Sequence, residues 1–192
     1  MADLSGRRVV VGVSGGIAAY KACELVSRLK ARGADVWVVM TPHASEFVGG
    51  TTFRALSGRP VATEMFSENI EWEMQHLSLS DFAEVVIIAP ATANVLGKIA
   101  NGLADDLLTT AVMAAHCPVI IAPAMNFRMW ANPMTQRNVA RLRELGYVIL
   151  DPEEGRLAEG TSGKGRLAAT EVLLAAIEDA LTARPPPVAP PS

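Results

Sequence analysis

Cysteine is close to absent from this chain. Cys23 and Cys117 are the only two in 192 residues. Their spacing matches neither a metal-ligand pattern nor a disulfide framework. Both read as packing residues, because a buried free cysteine behaves as a small hydrophobe. This usage fits a reducing, cytoplasmic setting. Histidine is scarce as well, with three in the chain, and neither His nor Cys clusters with the Asp105–Asp106 pair, so no metal site is expected. No apolar run approaches the roughly 20 residues of a membrane span, and the N-terminus lacks the layout of a signal peptide. Charge of one sign is not in excess either. Lys and Arg number 17 against 20 Asp and Glu, a net −3, and this balance calls for neither nucleic acid nor an anionic membrane.

Apolar residues are plentiful. They make up 50% of the chain, and mean hydropathy is +0.26. Either both faces of a sheet are covered, or apolar surface is buried between subunits. The length suits one domain, placed at residues 1–183. Residues 184–192 hold five of the 12 prolines and read as a disordered tail or linker.

Hydrophobic periodicity gives a coarse map. Residues 8–13 form an apolar, β-branched strand. Residues 17–32 show helical spacing, with Ala18, Ala22, Leu25 and Leu29 on one face, and Gly33 stops the helix. Residues 35–40 are a second strand. Thr41 and Pro42 are expected to cap and open a short helical segment, and residues 48–80 to carry short helices and loops. The fully apolar run 85–89 is a strand that Pro90 should end. Residues 92–115 read as one or two helices, interrupted near Gly102. Residues 119–122 are a strand, 135–145 a helix, 147–150 the last strand and 169–183 the closing helix. Alternating strands and helices imply an α/β fold with a single doubly wound parallel sheet, Rossmann-like or flavodoxin-like, and helices on both faces. Ligands of such sheets bind beyond the carboxyl ends of the strands. Residues 14–17, 41–44, 90–94 and 123–130 fall there.

Each of these segments has a bland reading beside a functional one. Gly12-Val-Ser-Gly-Gly-Ile17 leads a strand into a helix and would offer backbone N–H groups to a phosphate; taken alone it is also an ordinary tight turn, and it fits neither the dinucleotide fingerprint nor the P-loop. Ala89-Pro-Ala-Thr-Ala-Asn94 has small residues that admit a ligand, while Thr92 and Asn94 equally suit a helix cap. Asp105 and Asp106 read as a cap and a helix-dipole partner. His76 is a candidate because a histidine can move protons near neutral pH, although a lone histidine is more often structural. Pro123-Ala-Met-Asn-Phe-Arg-Met-Trp130 sets one amide among Met and Trp at a strand exit, a pocket with a single hydrogen-bonding handle.

Taken together, and in this order, these segments and the His76-Leu-Ser-Leu79 run resemble the flavin-dependent cysteine decarboxylases, most closely the phosphopantothenoylcysteine decarboxylase branch of coenzyme A synthesis. The resemblance spans about residues 6–181. It implies FMN as cofactor, with Gly15, Gly16 and Ile17 at its phosphate region, a hydroxyl contact from Thr41, and Thr92, Ala93, Asn94, Val95 and Ala124 lining the flavin. It implies His76 and Asn126 as catalytic residues, Asn126 gripping the substrate carboxylate and Met129 in the same wall. Lys164 and Arg166 are placed where a phosphate or carboxylate would meet them. The implied reaction oxidises the cysteine end of phosphopantothenoylcysteine to a thioaldehyde, releases CO₂ and re-reduces the product to 4′-phosphopantetheine. A homo-oligomer is implied, a trimer or a dodecamer built from trimers, and so is a phosphopantothenoylcysteine synthetase as partner. One departure stands out. In the flap, residues 155–167, Glu159 takes the position of a cysteine that assists the final reduction. Oxidative decarboxylation of a peptide's C-terminal cysteine, or a non-catalytic FMN-binding subunit, therefore stays open as an alternative.

Overall fold

The structure is a computed structural model that describes residues 3–63, 79, 81–156, 160 and 162–183. His76, Glu159 and the tail 184–192 lie outside the described residues.

Six strands run parallel: β1 (Arg8–Val13), β2 (Asp35–Met40), β3 (Val61–Ala62), β4 (Val85–Ala91), β5 (Val119–Pro123) and β6 (Val148–Ile149). Their order across the sheet is 3-2-1-4-5-6, the order of the Rossmann arrangement rather than the flavodoxin one. In-register pairing sets Val10 beside Trp37 on one side and beside Val86 on the other.

Because side chains alternate along a strand, each central strand feeds two cores. Val9, Val11 and Val13 with Val36, Val38, Val85, Ile87 and Ile120 form the core on one face. It is covered by α1 (Ala19–Ala31), α2 (Gly50–Ser57) and α7 (Thr170–Thr182), through Leu25, Leu29, Phe53 and Ile177. Val10, Val39, Val86, Ile88 and Ile121 form the other core. There α3 (Ala93–Ala100), α4 (Leu107–Ala114) and α6 (Pro133–Glu144) pack through Leu96, Leu108 and Leu142. Burial on both faces explains why β4 reads as an unbroken apolar run. Cys23 and Cys117 are partly buried and pack against the two cores, in line with the packing role expected of them.

Four expectations need correction. Pro90 does not end β4, which continues to Ala91. The ladder shifts register between Ile88 and Ala91, and at such an irregularity the missing N–H of proline costs no ladder bond. Thr41 does not cap with its side chain: Pro42–Glu46 is a short 3-10 turn, and the Thr41 carbonyl accepts from Ala44 N–H at 2.9 Å. The 48–80 stretch contributes an edge strand, β3. Residues 147–150 do not hold the last strand, because the glycine-rich flap forms an antiparallel hairpin of β7 (Glu153–Arg156) and β8 (Ser162–Arg166). A hairpin outside the main core needs no apolar alternation, so periodicity is silent about it.

The break near Gly102 is real and divides α3 from α4. Asp106 caps α4 in a reciprocal box with Thr109, while Lys98 bridges Asp105 and Asp106 at 2.7 and 2.8 Å.

Candidate functional site

In the order 3-2-1-4-5-6 the winding reverses between β1 and β4. The chain leaving β1 turns to α1 on one face, and the chain leaving β4 turns to α3 on the other. A crevice opens between them. A cavity of about 610 Å³ lies there, a size that suits a cofactor.

Its floor comes from two turns. Gly15 and Gly16 follow β1, and Thr92 and Ala93 follow β4. A side chain at Gly15 would collide with His43, since a Cβ there would lie 2.5 Å from His43 Cβ and 2.8 Å from its carbonyl carbon. The turn therefore closes tightly on its outer side and keeps its backbone toward the cavity. No side chain caps the N-terminus of α1. Ala19 N–H donates to the Gly16 carbonyl at 2.9 Å and Lys21 N–H to the Ala18 carbonyl at 3.0 Å, so the positive helix end and the glycine turn before it are what an anion would meet. Ser14 is buried and ties the two turns together. Its hydroxyl donates to the Pro90 carbonyl at 2.8 Å and accepts from Thr92 N–H at 3.0 Å.

The far wall follows β5. Residues 124–126 lead into α5 (Phe127–Ala131), a short helix capped by Asn126, whose Oδ1 accepts from Arg128 N–H at 2.8 Å. The cap fixes the side chain beside the cavity that it lines together with Ala124 and Met129. β8 closes against this wall: Met125 N–H donates to the Gly165 carbonyl at 3.0 Å. A side chain at Gly165 would run into the Met125 carbonyl. Glycine at this position allows strand and wall to touch.

The sequence-predicted residues divide into two groups. Gly15, Gly16, Ile17, Thr92, Ala93, Ala124, Asn126, Met129 and Arg166 all line one cavity. Thr41, Asn94, Val95 and Lys164 do not. Thr41 is buried, Asn94 is exposed on α3, and Val95 is buried with its N–H donating to the Thr92 hydroxyl at 3.4 Å. Thr92 thus serves as cap and as cavity wall at once. Lys164 pairs with Asp151 at 2.7 Å, and Arg143 pairs with the same carboxylate at 2.7 Å. The hydrogen bond from Lys164 holds the Asp151 carboxyl below its ordinary range.

Sequence reading missed Tyr20, Lys21, Met125 and Arg156 as cavity residues. Tyr20 and Lys21 carry a signal, because they stand three and four positions beyond Ile17 and share its helical face. Arg156 carries none, because its place depends on the hairpin.

The small and apolar walls, Ala18, Ala93, Ala124, Ile17 and Met125, suit a flat ring system, and the uncapped turn at Gly15–Gly16 suits a phosphate. The donor set fits FMN. Among the described residues no group of His, Cys, Asp or Glu is arranged to hold a metal ion, and no helix is long and apolar enough to cross a membrane.

Comparison with known proteins bears on the family and the fold. The Flavoprotein family matches residues 1–182. The chain belongs to the Flavoprotein family. It is 51% identical over 164 residues to the coenzyme A biosynthesis bifunctional protein CoaBC of Bacillus subtilis (strain 168), covering 85% of this chain and 40% of that protein. The chain thus spans about two fifths of the length of this curated relative. Among solved structures, the FMN-dependent cysteine decarboxylase SpaF superposes with a TM-score of 0.81 at 37% identity, covering 94% of this chain and 98% of that one. A PPC decarboxylase variant complexed with pantothenoylaminoethenethiol superposes with a TM-score of 0.79 at 32% identity, covering 90% and 97%. Both share the doubly wound fold of this Flavoprotein family member.

Proposed function

We propose that this flavoprotein is an FMN-dependent carboxy-lyase that converts 4′-phosphopantothenoylcysteine to 4′-phosphopantetheine. One observation carries the reading. The flavin-side residues Gly15, Gly16, Thr92 and Ala124 and the substrate-side residues Asn126 and Met129 meet in a single cavity. The 51% identity to a CoaBC protein favours the coenzyme A substrate.

In this reading the Gly15–Gly16 turn and the start of α1 hold the FMN phosphate, and Ile17, Thr92, Ala93 and Ala124 hold the ring. FMN, when bound, supplies two-electron oxidation of the cysteine end of the substrate and returns those electrons to the product. The chain's own residues supply geometry. The Asn126 amide orients the substrate carboxylate so that the bond to CO₂ is held for cleavage. Its cap on α5 fixes that orientation before substrate arrives. Met129 and Met125 form an apolar wall, and a carboxylate leaving as neutral CO₂ is favoured where water is displaced. The β7–β8 hairpin, joined to Met125 through Gly165, covers the same side. His76 is assigned as proton-transfer or positioning group by the family resemblance.

Ile17 (62% exposed) and Tyr20 (59% exposed) are large side chains at the cavity. A second copy of the chain would cover them, which supports the homo-oligomer. A synthetase that makes the substrate is the partner reading, supported by the bifunctional relative.

A second reading, oxidative decarboxylation of a peptide's C-terminal cysteine, is favoured by Glu159 in place of the flap cysteine. Mass spectrometry of products separates the two. Flavin-loaded protein incubated without oxygen with phosphopantothenoylcysteine is expected to give the saturated thiol that has lost CO₂. An unsaturated thiol from a cysteine-ended peptide, with no reaction of phosphopantothenoylcysteine, would replace the first reading by the second.

A further inference from the structure

Arg156 has no part in the roles given so far. It ends β7 and lines the cavity. Of the acidic residues that precede it, Asp151 pairs with Arg143 and Lys164, Glu153 accepts from the N–H of Ala169 at 2.8 Å, and Glu154 is in no ion pair with it. Among the described residues neither Arg156 nor Arg166 is in an ion pair.

The hairpin carries both arginines, and both line the cavity. A Cβ at Gly155 would lie 2.6 Å from Arg166 Nη1 and 2.9 Å from Arg166 Cδ. The side chain of Arg166 therefore lies across the backbone of β7, immediately before Arg156. Glycine is what permits the crossing. Lys21 adds a third cation to the lining. Unpaired like charges gathered at one cavity repel each other, and an anion between them removes the repulsion. Planar guanidinium forks match the oxygens of a phosphate.

Three anionic groups enter the cavity if the proposed function holds. The FMN phosphate fits the Gly15–Gly16 turn and the substrate carboxylate fits Asn126. The phosphomonoester of the substrate is left, and it carries close to two negative charges at neutral pH. We propose that Arg156, with Arg166 in the same lining, is the subsite for this phosphomonoester and sets the preference for a phosphorylated over a dephosphorylated substrate. The proposal rests on the substrate reading above.

The test measures binding, so it does not depend on turnover. Flavin-loaded protein is titrated calorimetrically with 4′-phosphopantothenate and with pantothenate, as wild type, Arg156→Gln and Arg156→Lys. Wild type is expected to bind the phosphorylated ligand at least about tenfold more tightly. Arg156→Gln should erase most of that ratio by weakening the phosphorylated ligand alone, and Arg156→Lys should restore part of it, since lysine keeps the charge without the fork. Equal weakening of both ligands, an unchanged ratio, or no preference in wild type would overturn the proposal. Loss of flavin absorbance in Arg156→Gln would also overturn it, by assigning the arginine to the phosphate of FMN. Failure of the decarboxylase reading shows separately, as absence of CO₂ release from wild type.

Discussion

The hydroxyl of Ser14 accepts a hydrogen bond from the backbone N–H of Thr92 at 3.0 Å, across 78 positions of sequence. It joins the exits of β1 and β4, the two strands between which the sheet reverses. The cavity floor depends on this bond. Ser14→Ala leaves the Thr92 N–H without that partner and takes a donor from the Pro90 carbonyl. The expected cost is about 1–3 kcal/mol, read as a lower urea midpoint with unchanged slope, together with weaker FMN binding. An unchanged midpoint would show that the bond contributes nothing to the floor.

The two glycines of the turn should fail in different ways. At Gly15 a methyl group meets the backbone of His43, and overpacking of that kind costs about 1–3 kcal/mol. At Gly16 the nearest atom to an added Cβ is Thr92 Cγ2 at 3.6 Å, an ordinary contact. Gly15→Ala should therefore lower the unfolding midpoint. Gly16→Ala should keep it and lower FMN affinity, because its methyl group enters the floor. Thermal unfolding and flavin fluorescence titration on the same samples separate these outcomes.

Asn126 caps α5, and in the proposed function it also grips the substrate carboxylate; two substitutions divide these tasks. Aspartate keeps the acceptor for Arg128 N–H but sets a negative charge against the substrate carboxylate. Alanine loses both functions. Asn126→Asp is expected to retain stability and reduce kcat/KM at least about tenfold. Asn126→Ala should in addition lose about 1 kcal/mol of stability as a lost helix cap. Steady-state kinetics beside urea unfolding check both. Normal kcat/KM for the aspartate variant would remove the carboxylate role.

The pH dependence of stability has a local source in Asp106. Burial pushes its carboxyl up, but hydrogen bonds from Lys98 and from Thr109 outweigh burial and hold it below the ordinary range. A carboxyl depressed in the folded state stabilises fully above its unfolded pKa, about 3.9. That contribution is lost as pH falls from there through the folded pKa. Asn is also a good helix cap, so Asp106→Asn keeps the cap and removes the titration. The stability advantage of wild type over Asp106→Asn should shrink as pH drops below about 4. A difference independent of pH in urea unfolding would contradict this.

Much of this architecture was legible in the sequence. The two apolar runs at β1 and β2 are located to the residue, because burial on both faces leaves only their first residues, Arg8 and Asp35, polar. The apolar run of β4 is equally plain, but its end is not: Pro90 reads as a terminator unless the register shift beside it is known. The cavity residues Gly15, Gly16, Thr92, Ala124 and Asn126 are found because they sit at strand exits, where the topology gathers them. Thr41 and Lys164 show the limit. Thr41 also leaves a strand, yet its side chain is buried under the following turn. Lys164 lies on the flap, yet its charge is taken up by Asp151. Arg156 is the converse. Only the pairing of β7 with β8, which no hydrophobic period announces, brings it to the cavity.

The central claim is that the crevice between the β1 and β4 exits holds one FMN. It is tested most directly by titrating flavin-free protein with FMN and following the quenching of flavin fluorescence. The account predicts saturation at one FMN per chain, with riboflavin, which lacks the phosphate, binding at least about tenfold more weakly. A protein that neither takes up FMN nor quenches its fluorescence would contradict the account.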